Sequence, residues 1–128
     1  FVDINTQQDA VKVPGVLIVR PEEPLFFASA ERVTAEIARL AHAAPDTTTI
    51  ILSLEESADL DSTAVDCLVE LHQRLAATGQ SLYIARAKTT VRLLLAQWDP
   101  QGLGQPQRMF WSVADAVEFA QNAKLPPV

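Results

Sequence analysis

The sequence predicts an α/β fold, with a central mixed, mainly parallel sheet and about four helices. Strands and amphipathic helices alternate after an opening hairpin, an order that yields a parallel sheet with right-handed crossovers. The run TTIILSL, Thr48 to Leu54, has almost no polar interruption. Such a strand is expected mid-sheet, buried on both faces. It feeds an acidic loop, Glu55 to Ala64, that opens a helix closing at Gly79. The chain should therefore be organised around Thr48–Gly79, with a functional edge where that strand ends.

At 128 residues the chain is long enough for one domain with a proper core. A single domain is expected over 1–124, followed by the tail Leu125–Val128. The formal net charge of −6, with ten scattered basic residues, argues against a nucleic-acid partner. The single cysteine, Cys67, excludes an internal disulfide and suits a reducing compartment. No apolar run reaches the roughly 20 residues that span a bilayer, and no signal-peptide pattern is present. The chain opens on Phe1 rather than Met, which fits a mature form or a domain cut from a longer protein.

Phe1–Ile4 reads as a short edge strand and Gln7–Val13 as a loop. Pro14-Gly15 signals a turn. Val16–Arg20 follows as a strand, and Leu25-Phe26-Phe27, after Pro21-Glu22-Glu23-Pro24, is expected to complete a hairpin. Ser29 is placed to cap a helix from Ala30 to roughly Ala44, with Val33, Ile37, Leu40 and Ala44 on one face. Pro45-Asp46 ends it. The second helix runs from Ser62 to Thr78. Asp61 is its expected N-cap, Asp66 adds charge that suits the helix dipole, and Gly79 stands at C′. Ala64, Val65, Leu68, Leu71 and Leu75 make its apolar face. Ser81–Ala85 is a strand. Thr89 or Thr90 starts a third helix that carries Val91, Leu94, Leu95 and Trp98 and stops at Pro100. Gln101–Gln107 reads as a loop, Arg108–Trp111 as a short strand, and Ser112 as the cap of a last helix from Val113 to about Ala123.

The residues offer little to a catalyst. His42 and His72 sit well along helices, away from strand outlets. Cys67 lies within a helix and reads as a small core residue. No G-x-S-x-G, CxxC or H-E-x-x-H occurs, and Gly102-Leu103-Gly104 reads as a plain loop. Glu55, Glu56, Asp59 and Asp61 could gather a divalent cation; a solvated acidic loop is the favoured reading, so no metal and no cofactor are expected. The hydroxyls of Ser62 and Thr63 stand at a helix N-terminus, where backbone N–H groups and the helix dipole accommodate an anion. A phosphoryl group there would also meet Asp59, Asp61 and Asp66 and change the surface strongly. Two readings of these hydroxyls stay open: a regulatory switch, or residues that only start the helix.

Several strings in order resemble the STAS domain family, shared by bacterial anti-sigma factor antagonists and the cytoplasmic C-terminal domains of SulP anion transporters. Asp61-Ser62-Thr63-Ala64 is similar to the family's D-S-[ST]-G motif, with Ala64 where the motif has Gly. Pro14–Arg20 followed by Leu25–Arg32 resembles the transporter pattern P-G-v-l-i-x-R, then l-F-F-x-N-A-e-r, with Ser29 in place of Asn. Phe110–Val117 resembles the closing strand and helix of that branch. The resemblance implies a STAS fold and a chain cut from a sulfate-permease-type transporter just after its last transmembrane helix. The implied role is non-catalytic and regulatory, at the cytoplasmic side of the bacterial inner membrane. The implied partners are the transmembrane domain of the same transporter and a cytoplasmic protein such as acyl carrier protein. Nucleotide binding is associated with the family, but no phosphate loop is present. The alternative is a free-standing anti-sigma factor antagonist, in which Ser62 matches the phosphorylated serine.

Overall fold

In a computed structural model of the protein, residues 2–5 and 8–122 are described, with side chains from residue 10 onward. Phe1, Gln7 at the start of the expected first loop, Ala123 and the expected tail Leu125–Val128 lie outside the described residues.

The strands are β1 (Val2–Asn5), β2 (Gln8–Val13), β3 (Val16–Pro21), β4 (Thr49–Ser53), β5 (Ser81–Ala85) and β6 (Met109–Phe110). The helices are α1 (Ala30–His42), α2 (Ser62–Ala77), α3 (Thr89–Trp98) and α4 (Val113–Asn122), with a short 3-10 turn at Pro106–Arg108. They form one six-stranded sheet whose spatial order follows the chain, β1 to β6. The β1–β2 and β2–β3 pairs are antiparallel, and the remaining pairs are parallel.

This order dictates the layers. When successive parallel strands are laid down side by side in one direction, crossovers of one hand put every connecting helix on the same face. The residues of α1, α2 and α3 accordingly share one core with Leu17, Val19, Ile50, Leu52, Leu82 and Ile84. Because α4 precedes no described strand of this sheet, it is free to cover the other face, over Val16, Ile51 and Ala85. All five residues of β4 are buried, as its nearly uninterrupted apolar run predicts, and Ile50 and Ile51 point to opposite cores.

The apolar face of α2 is buried at all five expected positions, Ala64, Val65, Leu68, Leu71 and Leu75. Gly79 follows with φ +78, the left-handed conformation that glycine supplies at C′ without a Cβ clash. Its neighbour Gln80 is buried, and its amide donates to the carbonyls of Ala41 (3.1 Å) and Thr47 (2.9 Å). That side chain closes the end of α1 onto the start of β5.

Two expectations are corrected. The segment expected as a loop, Gln7–Val13, contains strand β2, which pairs with β3 from Val13↔Val16 to Gln8↔Pro21. The hairpin is therefore made by β2 and β3 around Pro14-Gly15. Leu25-Phe26-Phe27 is not a strand. Pro24, directly before it, lacks the donor that a ladder would need, and the N–H groups of residues 25–27 are taken by side chains instead. Trp98, at the end of α3, is 51% exposed. Leu103 is fully buried in the core, carried in by the 101–107 loop. That loop packs so closely on α3 that a Cβ at Gly104 would lie 2.1 Å from the Leu95 carbonyl oxygen.

Leu68 is fully buried at the centre of the three-helix core. Leu68→Ala should cost about 2–5 kcal/mol, read from urea unfolding. A loss below about 1 kcal/mol would mean that the surrounding core collapses into the space.

Candidate functional site

Because β3, β4 and β5 are parallel, their C-terminal ends share one edge of the sheet. Ligand and partner sites of open α/β sheets collect at such edges. Residues 22–29, 54–61 and 86–88 leave the strands there, and Trp111-Ser112 follows the short β6.

The first two of these loops are bound to each other by side chains. Leu25 N–H donates to the buried Ser57 Oγ (3.0 Å), and Phe27 N–H donates to Asp61 Oδ2 (2.8 Å). Asp61 Oδ1 accepts from Ala64 N–H (2.8 Å), so the expected N-cap of α2 is formed. One carboxylate thus caps α2 with one oxygen and holds the β3–α1 loop with the other. Ser29 is buried, and its Oγ accepts from Phe26 N–H (3.2 Å) within its own loop, rather than from a first-turn N–H of α1. The outcome is an exposed aromatic pair, Phe26 at 41% and Phe27 at 68%, stacked edge to face at 5.6 Å.

Ser62 is the first residue of α2, and both Ser62 and Thr63 are exposed. The N–H groups at a helix's first positions have no intrahelical acceptor. Thr63 also borders a groove between α1 and α2 with Glu31, Asp66 and Cys67. The carboxylates do not converge. Asp59 accepts from Leu60 N–H (2.9 Å), and Glu55 pairs with Arg86 (3.0 Å). Asp66 lies on α2 rather than in the loop and accepts from the Trp98 indole N–H (3.2 Å). Among the described residues no group of three or more His, Cys, Asp or Glu side chains could hold a metal ion.

The basic residues, scattered in the sequence reading, are partly gathered by the fold. Arg86, Lys88 and Arg92 stand around the end of β5 and the start of α3. Arg86 takes a left-handed φ of 58, rare for a residue with a Cβ. Lys88 Nζ donates to the Glu55 carbonyl, and the Arg92 guanidinium lies 3.8 Å above the Trp111 ring. The sequence signal was three cations within residues 86–92; that Trp111 joins them is a tertiary fact.

The remaining reactive groups lie off this edge. Cys67 is half-buried and packs against the core. Burial, reinforced by Glu31 and Glu70, pushes its thiol pKa up, which makes it a poor nucleophile. His42 is the last residue of α1 and is exposed. Burial first, and Arg108 second, hold the His72 imidazole below its ordinary pKa, while Asp99 acts in the opposite sense.

Asp61→Ala should cost about 1–2 kcal/mol through loss of the cap. It should also speed amide exchange at Phe27 and Ala64 together, because one side chain serves both. Exchange at Phe27 that stays slow would show that the loop does not depend on Asp61. For His72 the folded state favours the neutral ring, so the unfolded chain takes the proton first as pH falls. Its effect is absent above the ordinary pKa of about 6.5 and destabilising below it. Urea midpoints of His72→Gln should therefore fall less than those of the wild type between about pH 7 and 5.

A family model for the STAS domain matches residues 7–116. A probable sulfate transporter of Mycobacterium tuberculosis is 31% identical over 91 residues, 70% of this chain and 16% of the transporter. The chain thus spans a small part of the curated relatives it matches. The structure of the murine anion transporter Slc26a9 in its inward-facing state aligns with TM-score 0.77 at 24% identity, over 88% of this chain and 18% of that one. The anti-sigma factor antagonist SpoIIAA, solved unphosphorylated and phosphorylated, aligns with TM-scores of 0.68 and 0.66 at 18% identity. These alignments cover 90% and 88% of this chain, and 96% and 98% of the SpoIIAA chains; the phosphorylated form is from Bacillus. At such identities the solved structures speak for the fold alone. No described helix is long and apolar enough to cross a membrane. With the family model covering most of its length, the chain belongs to the STAS domain family.

Proposed function

We propose that the chain is a non-catalytic regulatory and interaction domain of a SulP-type secondary anion transporter, working at the cytoplasmic membrane face. The observation that carries this reading is the identity with the mycobacterial sulfate transporter. The partner is the transmembrane domain of the same transporter. Cytoplasmic loops of membrane domains are rich in Lys and Arg. The exposed Phe26–Phe27 pair beside the exposed Asp59 and Asp61 is complementary to such loops in charge, and it offers apolar area to bury. Ser62 and Thr63 form the switch position. A phosphoryl group on Ser62 would meet free N–H groups of the first turn but would repel the Asp61 carboxylate, loosening its hold on Phe27.

A second reading is favoured by the likeness to SpoIIAA, a protein solved in its phosphorylated form, and by the exposure of Ser62. In it the chain is a free-standing anti-sigma factor antagonist switched at Ser62.

Sulfate uptake by membrane vesicles carrying the full gene product separates the two. Phe27→Lys sets a cation against basic loops and should lower uptake several-fold with the protein level unchanged. Ser62→Asp should lower it in the same direction. Uptake unaffected by either substitution, together with kinase-dependent mass gain that Ser62→Ala abolishes, would favour the antagonist.

A further inference from the structure

The same sheet edge carries a second surface of opposite sign. Three of the chain's ten Lys and Arg residues, Arg86, Lys88 and Arg92, fall within seven positions, and the fold sets Trp111 against them. Trp111 is 64% exposed, and Leu93, next to Arg92 on α3, is 65% exposed. A tryptophan so open to water, set among cations in an acidic protein, points to an unseated contact surface.

We propose that this Trp111–Arg92–Lys88 corner seats the domain on an anionic lipid surface. Tryptophan with a ring half in water suits the headgroup level of a bilayer, where its apolar body and polar N–H are both accommodated. The Arg92 guanidinium lies 3.8 Å from the centroid of that ring and adds its charge beside it. Arg86 is engaged with Glu55, but both side chains are well exposed. Such a pair is worth little and can exchange for a phosphate. The hollow between Arg86, Lys88 and Trp111 is wide and shallow, a shape that meets a surface rather than enclosing a soluble ligand. The overall charge of −6 does not oppose this. At physiological salt, charges more than about 8 Å away are largely screened, so the local sign decides. Each cation near an anionic leaflet contributes about fivefold in affinity. Three give weak binding, which suffices for a domain already tethered beside a bilayer.

The inference extends the transporter reading by giving the domain an orientation, yet its test needs no transporter. Trp98→Phe leaves Trp111 as the sole indole reporter. This protein should sediment with phosphatidylcholine vesicles containing about one third phosphatidylglycerol, and not with phosphatidylcholine alone. Trp111 fluorescence should shift to the blue and be quenched by lipids carrying a nitroxide near the headgroup. Lys88→Glu should weaken binding more than about fivefold, since it replaces attraction by repulsion. Trp111→Ser, an exposed change that spares the core, should weaken it too. Salt near 1 M, where the screening length is about 3 Å, should release the protein. The proposal is overturned if the anionic vesicles fail to bring the protein down, or if binding survives Lys88→Glu. It is also overturned if glycerol phosphate in solution produces the same Trp111 change, which would mark a soluble-anion site. Failure here leaves the uptake measurements untouched, and unaltered uptake leaves vesicle binding untouched.

Discussion

The burial of β4 on both faces is the constraint from which the rest of the structure follows. Five consecutive residues without access to water require helices above and below the sheet. They also require that β3 and β5 satisfy both edges of the strand. No polar function can then reside along the strand. Polar chemistry is displaced to its end, and the chain becomes acidic immediately after Leu54. The candidate functional edge is a consequence of that burial.

At the edge, Asp61 has an organising role out of proportion to its exposure. Its two oxygens tie an N–H of the β3–α1 loop and an N–H of α2 to a single group. Hydrogen bonds to a charged acceptor are stronger than neutral ones, about 1.5–3 kcal/mol. The loop it holds presents Phe26 and Phe27 to solvent. In the proposed switch, a charge placed on Ser62 would act on Asp61 first and on the aromatic pair through it. The other half of the edge is basic and carries Trp111, so one rim offers an acidic-aromatic and a basic-aromatic surface side by side. A membrane's cytoplasmic face presents the matching pair, basic protein loops and anionic lipid headgroups.

The readable parts of the sequence were those governed by local periodicity. The face of α2, its Asp61 cap, its Gly79 stop and the strand Ser81–Ala85 depend on spacing and on cap chemistry within a few residues. The misread parts were those where distant groups decide. Residues 25–27 carry the apolar, aromatic composition of a strand, but Ser57 and Asp61, more than thirty residues away, take two of their donors. Residues 8–13 are polar enough to read as a loop. They form a strand because β3 offers a complete antiparallel ladder after the Pro14-Gly15 turn. Leu103 was read as part of a plain loop, yet it is fully buried in the core, because its loop packs against α3.

By itself, the sequence determined the alternation of elements, the doubly buried strand, the capped start of α2 and the position of its hydroxyls. All of these follow from period, propensity and capping, which act over one or two turns of chain. Only the tertiary structure decided that one carboxylate serves two loops, that the Phe26–Phe27 pair faces water, and that Trp111 joins cations some twenty residues before it. The reason is physical. Such contacts depend on which strand ends lie side by side, and strand order is set by closing the whole sheet around a shared core.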